Sequence, residues 1–207
     1  MKKIILVVTA SLFLSVYGKA QPATGLDFDG TDDYVSCGNI LPPSYTKEAW
    51  INLTSLAFFN NIISSGVAGE HAFWAPASYG SRLSAGHNFT WDYVQDPTPL
   101  VVSTWYHVAV TYDAATTTMK LYKNAVLVST NTAVPAFASG NGVSLGAYGS
   151  AAVLIGVMDE ARIWNRALCQ DEIQSNMNCG LDPTGQYGLV ALYHFDQGTV
   201  GADNSGI

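Results

Sequence analysis

Apolar and polar positions alternate with a period of two through most of the chain, the pattern of strands that bury one face. In GLDFD, Leu26 and Phe28 fall on one side and Asp27 and Asp29 on the other. KEAWINL sets Ala49, Ile51 and Leu53 against Glu48, Trp50 and Asn52. The same alternation runs through WYHVAVTYD, TMKLYKN and AVLVST, and further strands are expected in NNIISSG, HAFWA, SRLSAGH, GVSLGA and LIGVMDEARIWNR. Residues 26–39 read as an opening strand and hairpin, anchored by Leu26, Phe28 and Val35. Gly, Asn, Asp, Pro and Ser punctuate the runs, as turns require. Only LCQDEIQSNMNCGL changes period, with Leu168, Ile173 and Met177 at helical spacing and Gly180 as a stop. The expectation is an all-β protein, a two-sheet antiparallel jelly-roll sandwich with one short helix near 168–178.

The first twenty residues stand apart. A basic MKK, an apolar IILVVTASLFLSV and a small-x-small GKA have the layout of a secretory signal peptide ending at Ala20. Its apolar core is short of the ~20 residues of a membrane span. Residues 21–198 are then expected to form the domain, in a secreted or cell-surface protein. GADNSGI and its neighbours, 199–207, read as the start of a connection to further sequence.

Charge narrows the partners. The formal net charge is −7, with nine Lys and Arg in 207 residues. Phosphate neutralisation needs clustered cations; without them nucleic acid and anionic membranes are poor partners, whereas cations and glycans suit the surface.

Three sets of residues carry candidate chemistry. Asp27, Asp29, Asp32 and Asp33 crowd into LDFDGTDD; they suit either calcium, which takes six to eight oxygens, or a polar turn satisfying its own backbone. Trp74, Trp91, Tyr93 and Arg82 lie in an aromatic-rich stretch and could stack on and bond to sugar rings, although aromatics in sandwiches usually fill cores. Catalytic pairs are wanting. Glu48, Glu70, Glu160 and Glu172 share no spacing that presents two carboxylates across a cleft. Glu48 is expected at the edge of the core and Glu160 in an ion pair with Arg162. His71, His87, His107 and His194 lack metal-ligand spacing, and His107 and His194 are expected to be hydrogen-bonded structural imidazoles.

LDFDGTDDYVSCGN, YTKEAWINL, WYHVAVTYDAATTTMKLYKNAVLV, LIGVMDEARIWNRALCQDEI and GLVALYHFDQG follow one another as in LamG-like domains, the laminin-G, concanavalin A-like jelly rolls of secreted bacterial proteins. The chain resembles them from about Gly25 to Gly198. The resemblance implies a structural calcium joining the first strand to a late one, held here by Asp29, the Gly30 carbonyl, Asp32 and Asp159. It also implies a Cys169–Cys179 disulfide around the helix. Spacing and export favour that pairing, with two buried free thiols as the alternative, and Cys37 is expected to be a buried thiol. One departure is Asn124-Ala125, where the family has Asn-Gly in the hairpin turn. Implied functions are a non-catalytic binding or adhesion module for carbohydrate, with an accessory domain of a larger surface protein as the alternative. A glycoside hydrolase is the weaker third reading.

Overall fold

The computed structural model describes residues 25–66, 70–138, 140–149, 151–178 and 180–196. The expected signal peptide, Cys179 and the tail from 197 lie outside the described residues. Among the described residues thirteen strands form in chain order: β1 (Leu26–Asp29), β2 (Val35–Asn39), β3 (Tyr45–Leu53), β4 (Ile63–Ser64), β5 (His71–Trp74), β6 (Arg82–His87), β7 (Thr90–Pro99), β8 (Trp105–Asp113), β9 (Thr118–Lys123), β10 (Val126–Asn131), β11 (Gly142–Leu145), β12 (Ile155–Trp164) and β13 (Leu189–Tyr193). One α-helix, α1 (Gln170–Asn176), falls among the described residues inside the expected segment, and a single 3-10 turn covers Ala77–Tyr79.

All pairings between these strands are antiparallel. The first layer has the order β1-β12-β3-β8-β9-β10, with β13 also paired to β12. The second consists of β2-β11-β4 and β5-β6-β7. Main-chain bonds from Ile62 to Phe73 and from Ser65 to His71 join its two halves. Phe28, Ile51, Leu53, Phe73, Leu83, Val108, Val110, Leu121, Val143 and Met158 meet between the layers. Each comes from the apolar face of an alternating strand, so burial follows the period-two pattern. The jelly-roll sandwich is therefore the observed architecture.

Residues 26–39 are not a hairpin. β1 pairs with β12 in one layer, while β2 pairs with β11 in the other. The turn 30–34 carries the chain between sheets, and its polar residues cross the edge of the sandwich. β7 is a further strand beyond those expected; Pro97 and Pro99 and two register shifts interrupt its alternation, as prolines do near sheet margins.

The Asn124-Ala125 turn keeps positive φ at both residues, 52° and 59°, the conformation of a type I′ hairpin. Asn124 is held by bonds in both directions with the His107 main chain. The Ala125 methyl is buried in a second cluster on the outside of the first layer, with Trp164, Leu168, Ile173, Met177 and Leu192. Strain of about 1 kcal/mol for a non-glycine residue there is thus met by apolar burial of similar size. α1 roofs this cluster and fixes it through the Trp50 indole, which donates to the Met177 carbonyl (2.7 Å).

Polar residues also enter the interior. Lys47, on the inward face of β3, is fully buried. Its Nζ donates to the Ile63 carbonyl (3.2 Å) and lies 2.7 Å from His71 Nδ1. His71 Nε2 faces the Gly142 carbonyl, and His87 bridges the Tyr45 hydroxyl and the Pro135 carbonyl. Each imidazole thus has one partner that accepts and one that donates, a set satisfied by neutral rings.

Candidate functional site

The outward face of the β5-β6-β7 half gathers the aromatic candidates. Trp74 lies opposite Ser84 on β6, and its indole nitrogen reaches across to donate to the Trp91 carbonyl on β7 (3.1 Å). The ring must therefore lie over β6, where the outward residues are Ser84 and Gly86. A Cβ on Gly86 would collide with the Thr90 carbonyl, so glycine permits the close approach of β7. Phe59 stacks parallel to Trp74, 1° between planes and 6.5 Å between centroids, and Tyr79 meets its edge at 5.5 Å. Trp91 packs against Phe89 and Tyr148. Phe59 is 49% exposed and Phe89 74%. Together these rings make a partly exposed aromatic shelf on a rigid sheet.

Of the expected contacts, the structure brings Trp74 and Trp91 together and sets the exposed Arg82 on the same outward face of β6. Tyr93 is a correction. Its ring points inward, against the core and the edge of His87 (5.7 Å). Phe59 and Tyr148, absent from the expected set, complete the shelf; they come from loops whose sequence carries no periodic signal.

The acidic turn is assembled differently from expectation. Asp29, Asp32 and Asp33 bring carboxylate oxygens within 4.8 Å of one another, all exposed. Asp29 Oδ1 accepts from Thr31 N and Asp33 Oδ2 from Asp29 N. Gly30 has φ 82°, and a side chain there would strike Ile155. Asp159 does not join them. The register places Asp29 opposite Ile155, so Asp159 is four residues, about 13 Å, further along β12. That separation is far beyond shared calcium ligands at ~2.4 Å. The three hard oxygen donors of the turn suit calcium by type, but only from one loop.

Asp159 instead sits at a bulge where β12 changes partner from β1 to β13. It is buried, and burial pushes its carboxyl up to about 7. Beside it, Glu160 pairs with both Arg162 (2.5 Å) and His194 Nδ1 (2.6 Å), as expected for the Glu160–Arg162 ion pair. Asp196 brings a carboxylate within 4.8 Å of Glu160 and His194.

Glu48 is not at the edge of the core but wholly buried beneath α1. It accepts from Trp164 Nε1 (2.9 Å) and lies 3.6 Å from Arg162. Burial raises its pKa, opposed by the Arg162 charge. Arg162 also donates to the Asn176 carbonyl at the helix end. His107 differs from the hydrogen-bonded imidazole expected. Neither ring nitrogen has a hydrogen-bond partner among the described residues, and Nε2 is 3.6 Å from Glu48; burial lowers its pKa to about 3. His194, by contrast, has the polar contact expected of it. Cys169 is exposed and precedes α1, its main-chain nitrogen donating to Glu172, while its expected partner Cys179 lies outside the described residues. Cys37 is partly buried, and burial pushes its thiol up to about 11.

A family model for the concanavalin A-like lectin/glucanase superfamily, Laminin_G_3, matches residues 29–174. The chain belongs to this superfamily. No curated protein sequence matches it. Among solved structures, a "putative carbohydrate binding protein" from Bacteroides ovatus aligns with TM-score 0.69 and 22% identity, over 87% of this chain and 54% of that one. The chain thus spans about half the length of that protein. A native heptameric pentraxin from Limulus polyphemus gives 0.60 and 17%, covering 74% and 81% of the two chains. The CBM40 domain of a Ruminococcus gnavus sialidase, bound to α2,3-sialyllactose, gives 0.57 and 16%, covering 76% and 98%. At such identities the shared property is the concanavalin A-like fold, and these structural neighbours include carbohydrate-binding modules.

Proposed function

We propose that this concanavalin A-like domain is a non-catalytic carbohydrate-binding module of a secreted or surface protein. The observation that carries this reading is the Trp74 indole laid across β6, with Phe59 parallel to it and Trp91 alongside. Sugar rings present apolar C–H faces, and a flat, rigid aromatic surface binds them with little loss of side-chain freedom. The carbohydrate-binding neighbours support the same class of ligand. Two of the four glutamates serve structure: Glu48 is sealed under α1, and Glu160 is held by Arg162 and His194. A substrate reaches neither pair as an acid and base.

Affinity electrophoresis through neutral and acidic polysaccharides tests the reading. Retardation by at least one polymer is expected, weakened about tenfold or more in Trp74→Ala and less in Phe59→Ala. Equal retardation of wild type and Trp74→Ala would remove the shelf from the account.

The same proposal includes a structural calcium at Asp29, Asp32 and Asp33, with Gly30 shaping the turn. EDTA is then expected to lower the melting temperature of the wild type, and Asp32→Asn to abolish the difference. An EDTA-insensitive wild type would leave the cluster as a polar turn.

A further inference from the structure

We infer that the ligand of the aromatic shelf is an anionic glycan, whose carboxylate or sulfate is taken by Arg82. This inference rests on the carbohydrate reading above and adds the chemical class. The chain has three arginines, Arg82, Arg162 and Arg166. Arg162 is paired with Glu160 and Arg166 with Glu172. Arg82 is exposed, and among the described residues its guanidinium has no ion pair or hydrogen bond. In a protein of net charge −7, a solvent-facing guanidinium without a carboxylate is available to a ligand.

Its position gives that charge a purpose. Trp74 is opposite Ser84, and Arg82 stands two residues along the same strand on the same outward face. Such diagonal neighbours are about 7–8 Å apart at the backbone, within reach of long side chains. Tyr79, whose ring abuts Trp74, precedes Arg82 through the turn at Gly80. A pyranose stacked on the indole can therefore extend an exocyclic carboxylate, or a sulfate ester, toward the guanidinium. The fork of N–H donors matches either anion in a bidentate manner. Gln95, whose amide bonds Ser84 Oγ, supplies a neutral polar group on the same surface. A negative charge on the same half is Asp92, which is exposed and which, after burial, helps to raise the pKa of Tyr79. Asp92 therefore disfavours anions, and its removal should strengthen their binding.

Isothermal titration of the full domain at low salt, with oligogalacturonate, its methyl ester and a sulfated galactan, tests the inference. Oligogalacturonate or sulfated galactan is expected to bind about tenfold more tightly than the ester, the worth of one charge-assisted contact. That preference should vanish in Arg82→Gln, persist partly in Arg82→Lys, rise in Asp92→Asn and fall with added salt. Whichever anion is preferred identifies the group; both fit the inference. Equal binding of acid, sulfate and ester, with sensitivity to Trp74→Ala, would overturn the role of Arg82 and leave the shelf intact. Preserved anion preference in Arg82→Gln would overturn it too. Absence of binding to charged and neutral oligosaccharides alike would overturn both readings.

Discussion

Arg162→Met is expected to lower the unfolding free energy by about 3–5 kcal/mol, the loss typical when one partner of a buried ion pair is removed. Arg162 is fully buried and stands between Glu48 and Glu160 while bonding the end of α1. Without it, Glu48 keeps the Trp164 bond but loses the Arg162 guanidinium beneath the helix, while the His107 imidazole 3.6 Å away is held neutral by burial. Part of that loss should return in the double variant Arg162→Met with Glu48→Gln, because the second change removes the stranded charge. Urea unfolding of the two variants measures this. A single variant as stable as the wild type would show that the network beneath α1 contributes nothing.

Acid should unfold the domain steeply, because three imidazoles are buried neutral. Burial lowers the pKa of His71 well below its usual range, that of His87 to about 4 and that of His107 to about 3. Their unfolded values lie near 6.5. The unfolded chain therefore binds more protons below that pH, and stability, fully present above about pH 6.5, is lost as pH falls toward the folded values. Each imidazole contributes a slope of about 1.4 kcal/mol per pH unit in that window. Asp159 acts oppositely: raised to about 7, it favours the fold at low pH and weakens it as pH rises through 7. Glu48, also raised by burial, acts in the same sense as Asp159, so the net slope is smaller than the sum over the three imidazoles but keeps its sign between roughly pH 6 and 4. Lys47, lowered by burial, adds in the same direction as the imidazoles. Denaturant melts across that range should show the slope, and His87→Phe should reduce it. A flat profile would contradict the neutral interior network.

The strands were legible because a half-buried strand imposes its period on the side chains, and KEAWINL or WYHVAVTYD has no other economical reading. Layer assignment was not. β1 and β2 are adjacent in sequence, yet only long-range pairing with β12 and β11 decides that they belong to different sheets. The same limit explains Asp159. Its carboxylate type suggested calcium, but strand register, invisible in one sequence, places it away from Asp29. Lys47 shows how polarity can mislead: it occupies an inward position in an alternating strand, and its burial depends on acceptors supplied by β4 and β5. For the candidate site, residue chemistry singles out Trp74, Trp91 and Arg82, and three adjacent strands, β5, β7 and β6, carry them to one face. Tyr93 departs from that pattern because the register shifts between β6 and β7 turn it inward. Phe59 and Tyr148 reach the shelf from loops, where no period foretells direction.

Indole N–H resonances report directly where a glycan lands, because Trp74 and Trp91 lie on the shelf while Trp50 and Trp164 are sealed beneath α1. Titrating the glycan retained in affinity electrophoresis should move the Trp74 and Trp91 signals and leave those of Trp50 and Trp164 in place. A glycan that binds without moving the Trp74 resonance would contradict the account.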